Sequence, residues 1–178
     1  MKPLHIIAFG KYLDEEGYQM IYQSFKELYK GVTPKHRKRM RLFIVDDFEN
    51  NAQIWNRAAG YDIEEAITIL NKDLDELEEI MRNGSALFMP GDRIPVRLIS
   101  RAFSYGLPII GYHQLQDFDL VDQTCSMLVR YRDRYQTITE FTQMLRILYF
   151  DPEVRKILKR GTIQKYNSQF RWGIRERV

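Results

Sequence analysis

Three arginines recur at intervals of four residues in the segment PGDRIPVRLISRAFSYG (residues 90–106). Arg93, Arg97 and Arg101 would lie on one face if this segment were helical, because residues four apart are neighbours on a helix surface. Guanidinium groups present a planar fork of donors that matches phosphate and carboxylate oxygens. The spacing leaves three alternatives: a phosphate site, an altered catalytic site, or a solvated helix face.

A second candidate anion site lies directly after the apolar run LHIIAF (residues 4–9). Gly10 and Lys11 follow this run and precede a segment with helical spacing. Backbone amides at the beginning of a helix can receive an anion, and the Lys11 ammonium would add a positive charge. The acidic residues 14–16 beside it would repel an anion. The three-glycine fingerprint of dinucleotide-binding Rossmann domains is absent from this segment.

Two further charged motifs are less specific. Asp46 and Asp47 follow the apolar run at residues 41–45, and an acid pair after a strand is how response-regulator receivers hold magnesium. A receiver places that pair after its first strand, so we predict turn and helix-capping roles here. The basic run KHRKRMR (residues 35–41) is compatible with nucleic-acid binding, but a net charge of +3 in 178 residues does not favour it.

The composition is typical of one globular domain without a metal or a disulfide. The 178 residues are 44% hydrophobic and 13% aromatic, which is enough for a buried core. Cys125 is the single cysteine, which excludes an intrachain disulfide and fits a reducing compartment. The three histidines lie far apart in the sequence, so we expect no metal ion. The N-terminal apolar run is too short for a signal peptide or a membrane span, so we predict a cytoplasmic location.

Short apolar runs alternate with segments of helical period along the whole chain. This alternation predicts a Rossmann-like, doubly wound parallel sheet of about six strands with helices on both faces. Ligands of such sheets bind at the carboxyl ends of the strands. The predicted strands span residues 4–9, 41–45, 66–70, 86–90, 107–112 and 125–130. The predicted helices span residues 18–31, 49–59, 71–84, 96–105, 137–150 and 151–172, the last interrupted near Gly161.

These segments, in this order, resemble the C-terminal, donor-binding half of GT-B glycosyltransferases of the retaining group 1 type. IIAFGKYLDEEGYQMIYQSFKELYK is similar to that family's opening strand, Gly-Arg turn and first helix. AITILNKDLDELEEIMRNGSALFMPG is similar to the strand, loop, helix and strand before its Pro-Ser turn. RAFSYGLPIIGY resembles its Glu-Ala-Met-Ala-x-Gly-x-Pro-Val-Ile block, and LYFDPEVRKILKRG and FRW resemble its closing helices. The resemblance implies one domain over residues 1–178, one half of a GT-B fold, with the helices of 137–178 packed on the sheet.

The resemblance implies a nucleotide-sugar donor, such as a UDP- or GDP-sugar, and no metal. Two family acids that hold the donor sugar and the ribose hydroxyls fall on Arg93 and Arg101. A guanidinium cannot accept a hydrogen bond from a hydroxyl as a carboxylate does. The phosphate-binding lysine falls on Glu16, whereas the Gly-Arg turn becomes Gly10-Lys11 and keeps its charge. The resemblance therefore implies an altered donor site, and no catalytic residue is assigned.

Two functions remain open for this chain. It is either the donor-side domain of a glycosyltransferase-like protein, inactive alone because GT-B chemistry needs two halves, or a non-catalytic GT-B-like interaction or scaffold module. Both imply a second Rossmann-like half or another protein partner, and nucleic acid is the less favoured ligand. The candidate donor- or phosphate-binding residues are Gly10, Lys11, Asn71, Gly91, Arg93, Arg97 and Arg101.

Overall fold

The computed structural model describes residues 2–46, 51–70, 74–91, 93–114 and 120–171. The six predicted strands are all present, with ends that differ from the prediction by two residues at most. They are β1 (Leu4–Phe9), β2 (Met40–Val45), β3 (Ile67–Leu70), β4 (Ala86–Met89), β5 (Ile109–Tyr112) and β6 (Ser126–Val129). The helices are α1 (Glu15–Lys30), α2 (Pro34–Arg37), α3 (Asn51–Ala59), α4 (Leu74–Asn83), α5 (Val96–Ser104), α6 (Arg134–Phe150) and α7 (Pro152–Lys165).

The six strands form one parallel sheet in the order β3-β2-β1-β4-β5-β6. The predicted doubly wound, Rossmann-like sheet is thereby confirmed. The strand order reverses between β1 and β4, because the chain first winds outward to β3 and then returns to the middle. Loops that leave neighbouring strands in opposite directions open a crevice at the carboxyl edge.

Side chains of β1 alternate between two hydrophobic cores. Leu4, Ile6 and Ala8 pack into the core formed with α1 and α6, whereas Ile7 and Phe9 pack into the core formed with α4 and α5. Successive strand residues point to opposite faces, so a strand in the middle of the sheet contributes to both cores. Helices therefore cover both faces of the sheet, as predicted.

Helix α1 begins three residues earlier than its apolar period predicts. The Asp14 carboxylate accepts a hydrogen bond of 2.7 Å from the Gly17 amide, and Glu15 and Glu16 occupy the first turn. Carboxylates are stabilised at a helix N-terminus by the exposed amides and the helix dipole. The acids that were expected to repel a ligand from Lys11 are therefore the cap and first turn of α1.

Helix α7 runs unbroken through Gly161, so the predicted interruption at this residue is wrong. The glycine has a packing role instead. A Cβ atom at Gly161 would lie 1.8 Å from the Thr124 carbonyl oxygen, in the loop before β6. A glycine inside a helix costs stability, and here it permits a backbone contact that no side chain would allow.

Asp122 fastens the same loop to the end of α7. Its carboxylate accepts hydrogen bonds from the Thr124 amide at 2.8 Å and pairs with the Lys165 ammonium at 2.8 Å. Burial alone would raise the pKa of this carboxyl, but the hydrogen bonds from Lys165 and Thr124 outweigh burial and lower it to about 2. The charged form of Asp122 therefore stabilises the contact between α7 and the loop before β6.

Within the residues that the structure describes, no helix combines the length and the apolar character needed to cross a bilayer. Residues 172–178, where the sequence predicts the end of the last helix, lie outside the described residues.

We predict that Gly161→Ala lowers the free energy of unfolding by about 1–3 kcal/mol, because its methyl group overlaps the Thr124 carbonyl. Urea denaturation measures this. The matched control is Gly60→Ala, where the nearest atom to the added Cβ is the Arg57 carbonyl oxygen at 3.8 Å. Equal stability of the two variants would contradict the packing role of Gly161.

We also predict an acid-sensitive contribution from Asp122. Its pKa is lower in the folded protein than the ordinary 3.8, so its stabilisation is present above pH 3.8 and is lost as the pH falls towards 2. Because the side chain is 42% exposed, we expect only about 1 kcal/mol after solvent screening. Asp122→Asn should flatten the stability profile between pH 4 and pH 2, measured by urea denaturation. An unchanged slope would refute this.

Candidate functional site

A cleft of about 610 Å³ opens at the carboxyl ends of β1 and β2, between the turn after β1 and helices α4 and α5. It lies beside the reversal of strand order, where doubly wound sheets bind their ligands. The cleft is lined by apolar and by positively charged side chains. The lining residues are Phe9, Lys11, Tyr12, Val45, Leu77, Arg97, Leu98 and Arg101.

Three cations from two separate elements line this cleft. Lys11 belongs to a 3-10 turn, Gly10–Tyr12, that directly follows β1, and Arg97 and Arg101 lie one turn apart on α5. Lys11 and Arg97 are exposed, and Arg101 is half-buried. The structure thus brings a strand end and a helix face together, and their shared charge suits an anionic ligand.

Arg93 does not share this position. Helix α5 begins only at Val96, and Pro95 before it has an extended backbone with φ −58° and ψ 133°. Proline disfavours a helical conformation in the residue before it, so the chain from Arg93 to Pro95 cannot extend the helix. Arg93 therefore does not lie on one helix face with Arg97 and Arg101. It is exposed and does not line the cleft.

Of the two candidate glycines, Gly10 begins the turn that carries Lys11, and Gly91 lies beside that turn. A Cβ atom at Gly10 would lie 2.1 Å from an Asp46 carboxylate oxygen and 2.2 Å from the Tyr18 hydroxyl. A Cβ atom at Gly91 would lie 3.4 Å from the Tyr12 carbonyl oxygen. Gly10 thus packs against a buried pair outside the cleft lining, whereas Gly91 packs against Tyr12, which lines the cleft. Asn71, the remaining candidate, lies outside the described residues.

A buried hydrogen bond supports the turn from below. The Tyr18 hydroxyl donates to the Asp46 carboxylate at 3.0 Å, and both residues are almost fully buried. Burial, followed by the negative charge of Asp46, raises the pKa of Tyr18 well above its ordinary value of 10. The Arg57 guanidinium lies 4.8 Å from the Tyr18 ring centre and pairs with Glu15 at 2.8 Å. This cluster links α1, α3 and the end of β2 under Gly10.

Sequence reasoning missed the contact between Tyr18 and Asp46. It predicted only a turn or capping role for Asp46, and the neighbouring Asp47 lies outside the described residues. The signal that was present is an acid directly after the apolar residues LFIV (42–45), because a carboxylate buried there requires a donor. The identity of that donor depends on how α1 packs, which the local sequence does not reveal.

Glu16 occupies the position of the phosphate-binding lysine in the resemblance, but it does not line the cleft. Its carboxylate is hydrogen-bonded to the Tyr131 hydroxyl beyond the end of β6, and this bond raises the pKa of that tyrosine. The described ranges also contain no group of three or more His, Cys, Asp or Glu side chains that could hold a metal ion. The cleft's described charge therefore comes from Lys11, Arg97 and Arg101.

No protein-family model matches this chain, and no curated protein sequence is similar to it. Solved structures do match. Pneumococcal O-GlcNAc transferase GtfA superposes with a TM-score of 0.74 at 15% identity, over 93% of this chain and 32% of GtfA. Sucrose-phosphate synthase from Thermosynechococcus elongatus gives 0.72 at 15% identity, over 97% of this chain and 42% of the synthase. The C-terminal domain of the group 1 glycosyltransferase LpcC from Francisella tularensis gives 0.69 at 11% identity, over 95% and 88%.

The chain therefore has the fold of the C-terminal domain of a GT-B, group 1 glycosyltransferase. It spans about a third of GtfA and two fifths of the synthase, but most of the isolated LpcC domain. At these identities the likeness establishes the fold.

We predict that Tyr18→Phe lowers the free energy of unfolding by about 1–3 kcal/mol at pH 7, because it removes a donor from the buried Asp46 carboxylate. Tyr18 keeps its proton in the folded protein above pH 10, where an unfolded chain loses it, so wild-type stability should fall as the pH rises above 10. That decline should be shallower in the variant.

Urea denaturation between pH 7 and pH 11 measures both effects. Tyr135→Phe is the matched control, since Tyr135 is 80% exposed and its loss should change little. If Tyr18→Phe and Tyr135→Phe are equally stable at pH 7, the hydrogen bond to Asp46 does not support this part of the fold.

Proposed function

We propose that this chain is the donor-side domain of a glycosyltransferase-like protein, and that its cleft holds the diphosphate of a nucleotide sugar. The observation that carries the proposal is the convergence of Lys11, Arg97 and Arg101 on one cleft at the carboxyl edge. The fold shared with group 1 glycosyltransferases supports this assignment.

The cleft suits a nucleoside diphosphate in size and chemistry. Ligand pockets for small molecules typically enclose roughly 300–1,000 Å³, and this cleft encloses about 610 Å³. The two guanidinium groups and the ammonium match the charge of a diphosphate. Phe9, Val45 and Leu98 provide an apolar surface for a base, and the Tyr12 ring adds an aromatic one.

The solved relatives support the same class of ligand. The GtfA structure contains UDP and GlcNAc, and a TarM structure, with a TM-score of 0.63 to this chain, also contains UDP. In our proposal a UDP- or GDP-sugar is the donor of this chain.

The proposed role in sugar transfer is electrostatic. When a sugar leaves a nucleoside diphosphate, negative charge develops on the departing phosphate oxygen, and nearby cations stabilise that charge. Lys11, Arg97 and Arg101 would supply those cations, and no metal is required in this proposal. Transfer also requires an acceptor held beside the donor, so we propose that a second Rossmann-like half or a protein partner supplies the acceptor face and that the isolated chain is inactive.

A second function is favoured by one specific observation. Arg101 lies in the cleft where the resemblance expects an acid that holds ribose hydroxyls. A chain with this change is also compatible with a non-catalytic, GT-B-like interaction module that no longer binds a sugar nucleotide. The single, buried Cys125 supports a cytoplasmic location for either function.

The experiment is a calorimetric titration of the chain with UDP, GDP and UMP. We expect both diphosphates to bind more tightly than the monophosphate, because the cations bind the second phosphate. Arg101→Ala and Lys11→Ala should each weaken diphosphate binding by about tenfold. Arg93→Ala is the matched control and should leave the affinity unchanged, because Arg93 is exposed and does not line the cleft.

Absence of binding at millimolar UDP and GDP would refute the donor-side assignment and favour the interaction module. Equal losses for Arg93→Ala and Arg101→Ala would place the ligand outside the cleft.

A further inference from the structure

The amino edge of the sheet, opposite the cleft, is covered by helix α7. Arg155 near its beginning donates to the carbonyl of Pro3, directly before β1. Lys159 packs against Gly106, in the loop before β5, and Gly161 packs against Thr124, in the loop before β6. Helix α7 therefore crosses beneath the sheet from β1 to β6.

Helix α2 and the end of α6 continue this surface. The His36 ring on α2 lies 5.6 Å from the Phe150 ring, and its Nδ1 lies 2.7 Å from the Tyr149 hydroxyl. Asp151 alone separates α6 from α7 and caps α7 through the amides of Glu153 and Val154. We call the surface made by α2, the end of α6 and α7 the basic edge.

The basic edge exposes large apolar side chains. Four of them belong to α6 and α7: Ile157 is 60% exposed, and the other three side chains are about 40% exposed. Two shallow depressions, of about 420 and 530 Å³, lie beside these side chains. Large exposed apolar side chains are costly in water, and several of them along one edge of a protein can mark a binding surface. The four side chains are Ile147, Phe150, Ile157 and Ile163.

Positive charge surrounds these apolar groups. Residues 33–39 contain four Lys or Arg and no acid, and α7 contains five bases and one acid. Arg146, near the end of α6, adds another base, with its guanidinium 5.7 Å from the Phe150 ring centre. Some of the bases have structural roles within the fold: Arg37 binds backbone carbonyls of α1 and its following turn, Arg155 binds Pro3 and Tyr149, and Lys165 pairs with Asp122. The bases exposed at the surface include Lys35, Lys38, Arg146, Lys159 and Arg160.

We infer that the basic edge docks this protein on an anionic lipid bilayer. A partner of this surface must supply negative charge for bases that are spread over three helices. It must also bury apolar side chains that lie at several points among those bases. The headgroup region of an anionic bilayer does both, since basic residues bind its charge and apolar side chains insert at the acyl boundary. A nucleic acid would satisfy the cations, but it has no apolar medium for three aliphatic side chains.

Docking by the basic edge leaves the candidate ligand cleft facing the aqueous side, because the two lie at opposite edges of the same parallel sheet. The surface therefore has a role independent of the proposed nucleotide-sugar binding, and each can be tested without the other.

The test is co-sedimentation of the full chain with lipid vesicles at low and high salt. The vesicles are phosphatidylcholine alone, or phosphatidylcholine with about one third phosphatidylglycerol as the anionic lipid. We expect binding to the anionic vesicles only, and weaker binding at high salt because the ionic attraction is screened.

Two variants separate the contributions. Removing two charges with Lys35→Gln and Lys38→Gln should weaken binding about 25-fold, because each basic residue near the bilayer contributes about fivefold in affinity. Ile157→Ser with Ile163→Ser should weaken it several-fold even at low salt, because the inserted apolar area is lost. Both pairs are exposed, so circular dichroism should show the native fold.

The matched control for charge is Arg130→Gln with Arg134→Gln, two exposed arginines directly after β6 and at the beginning of α6, at the carboxyl edge of the sheet. It removes the same charge outside the basic edge and should bind vesicles as the wild type does. The inference is overturned if the wild type does not sediment with anionic vesicles at low salt. It is equally overturned if the control loses as much affinity as the lysine variant, or if the isoleucine variant binds unchanged.

Discussion

The burial of β1 on both faces is the constraint on which the rest of this structure depends. A parallel strand in the middle of a sheet hydrogen-bonds on both sides and sends alternate side chains into two cores. Helices must then cover both faces, so the sheet itself exposes only its two edges. The chain is left with two edges for binding, and at the carboxyl edge the reversed strand order opens the cleft beside β1.

The cleft is built from parts whose positions are determined by packing. Lys11 is the second residue after β1. The residue between them, Gly10, packs directly against the buried hydrogen bond between Tyr18 and Asp46. Arg97 and Arg101 project from a helix whose other face is buried in the second core. The backbone that carries these cations is held in place before a ligand arrives, which favours affinity. In the proposed function, these cations stabilise the charge of a leaving diphosphate.

Much of the fold could be predicted from the sequence because its signals are local. Strand β1 was predicted at residues 4–9, where it lies, since a short apolar run bounded by Gly10 is unambiguous. The prediction failed where a tertiary contact overrides a local preference. Gly161 normally signals a break, but its contact with Thr124 explains its presence inside an unbroken helix. Arg93 has the four-residue spacing of Arg97 and Arg101, but the local signal of Pro95 excludes it from α5, in agreement with the predicted helix over residues 96–105. The buried partner of Asp46 comes from α1, 28 residues away, beyond any local pattern.

The path of α7 has a consequence for how this domain is made. Its contacts join Pro3, among the first residues, to Thr124, about two thirds of the way along the chain. A helix that contacts the residues before a middle strand, β1, and before the edge strand β6 docks fully only once β1, β5 and β6 have paired. Contacts between distant parts of a chain form late, and synthesis proceeds from the N-terminus. A nascent chain that has not yet made α7 therefore has uncovered strand ends along the amino edge of its sheet.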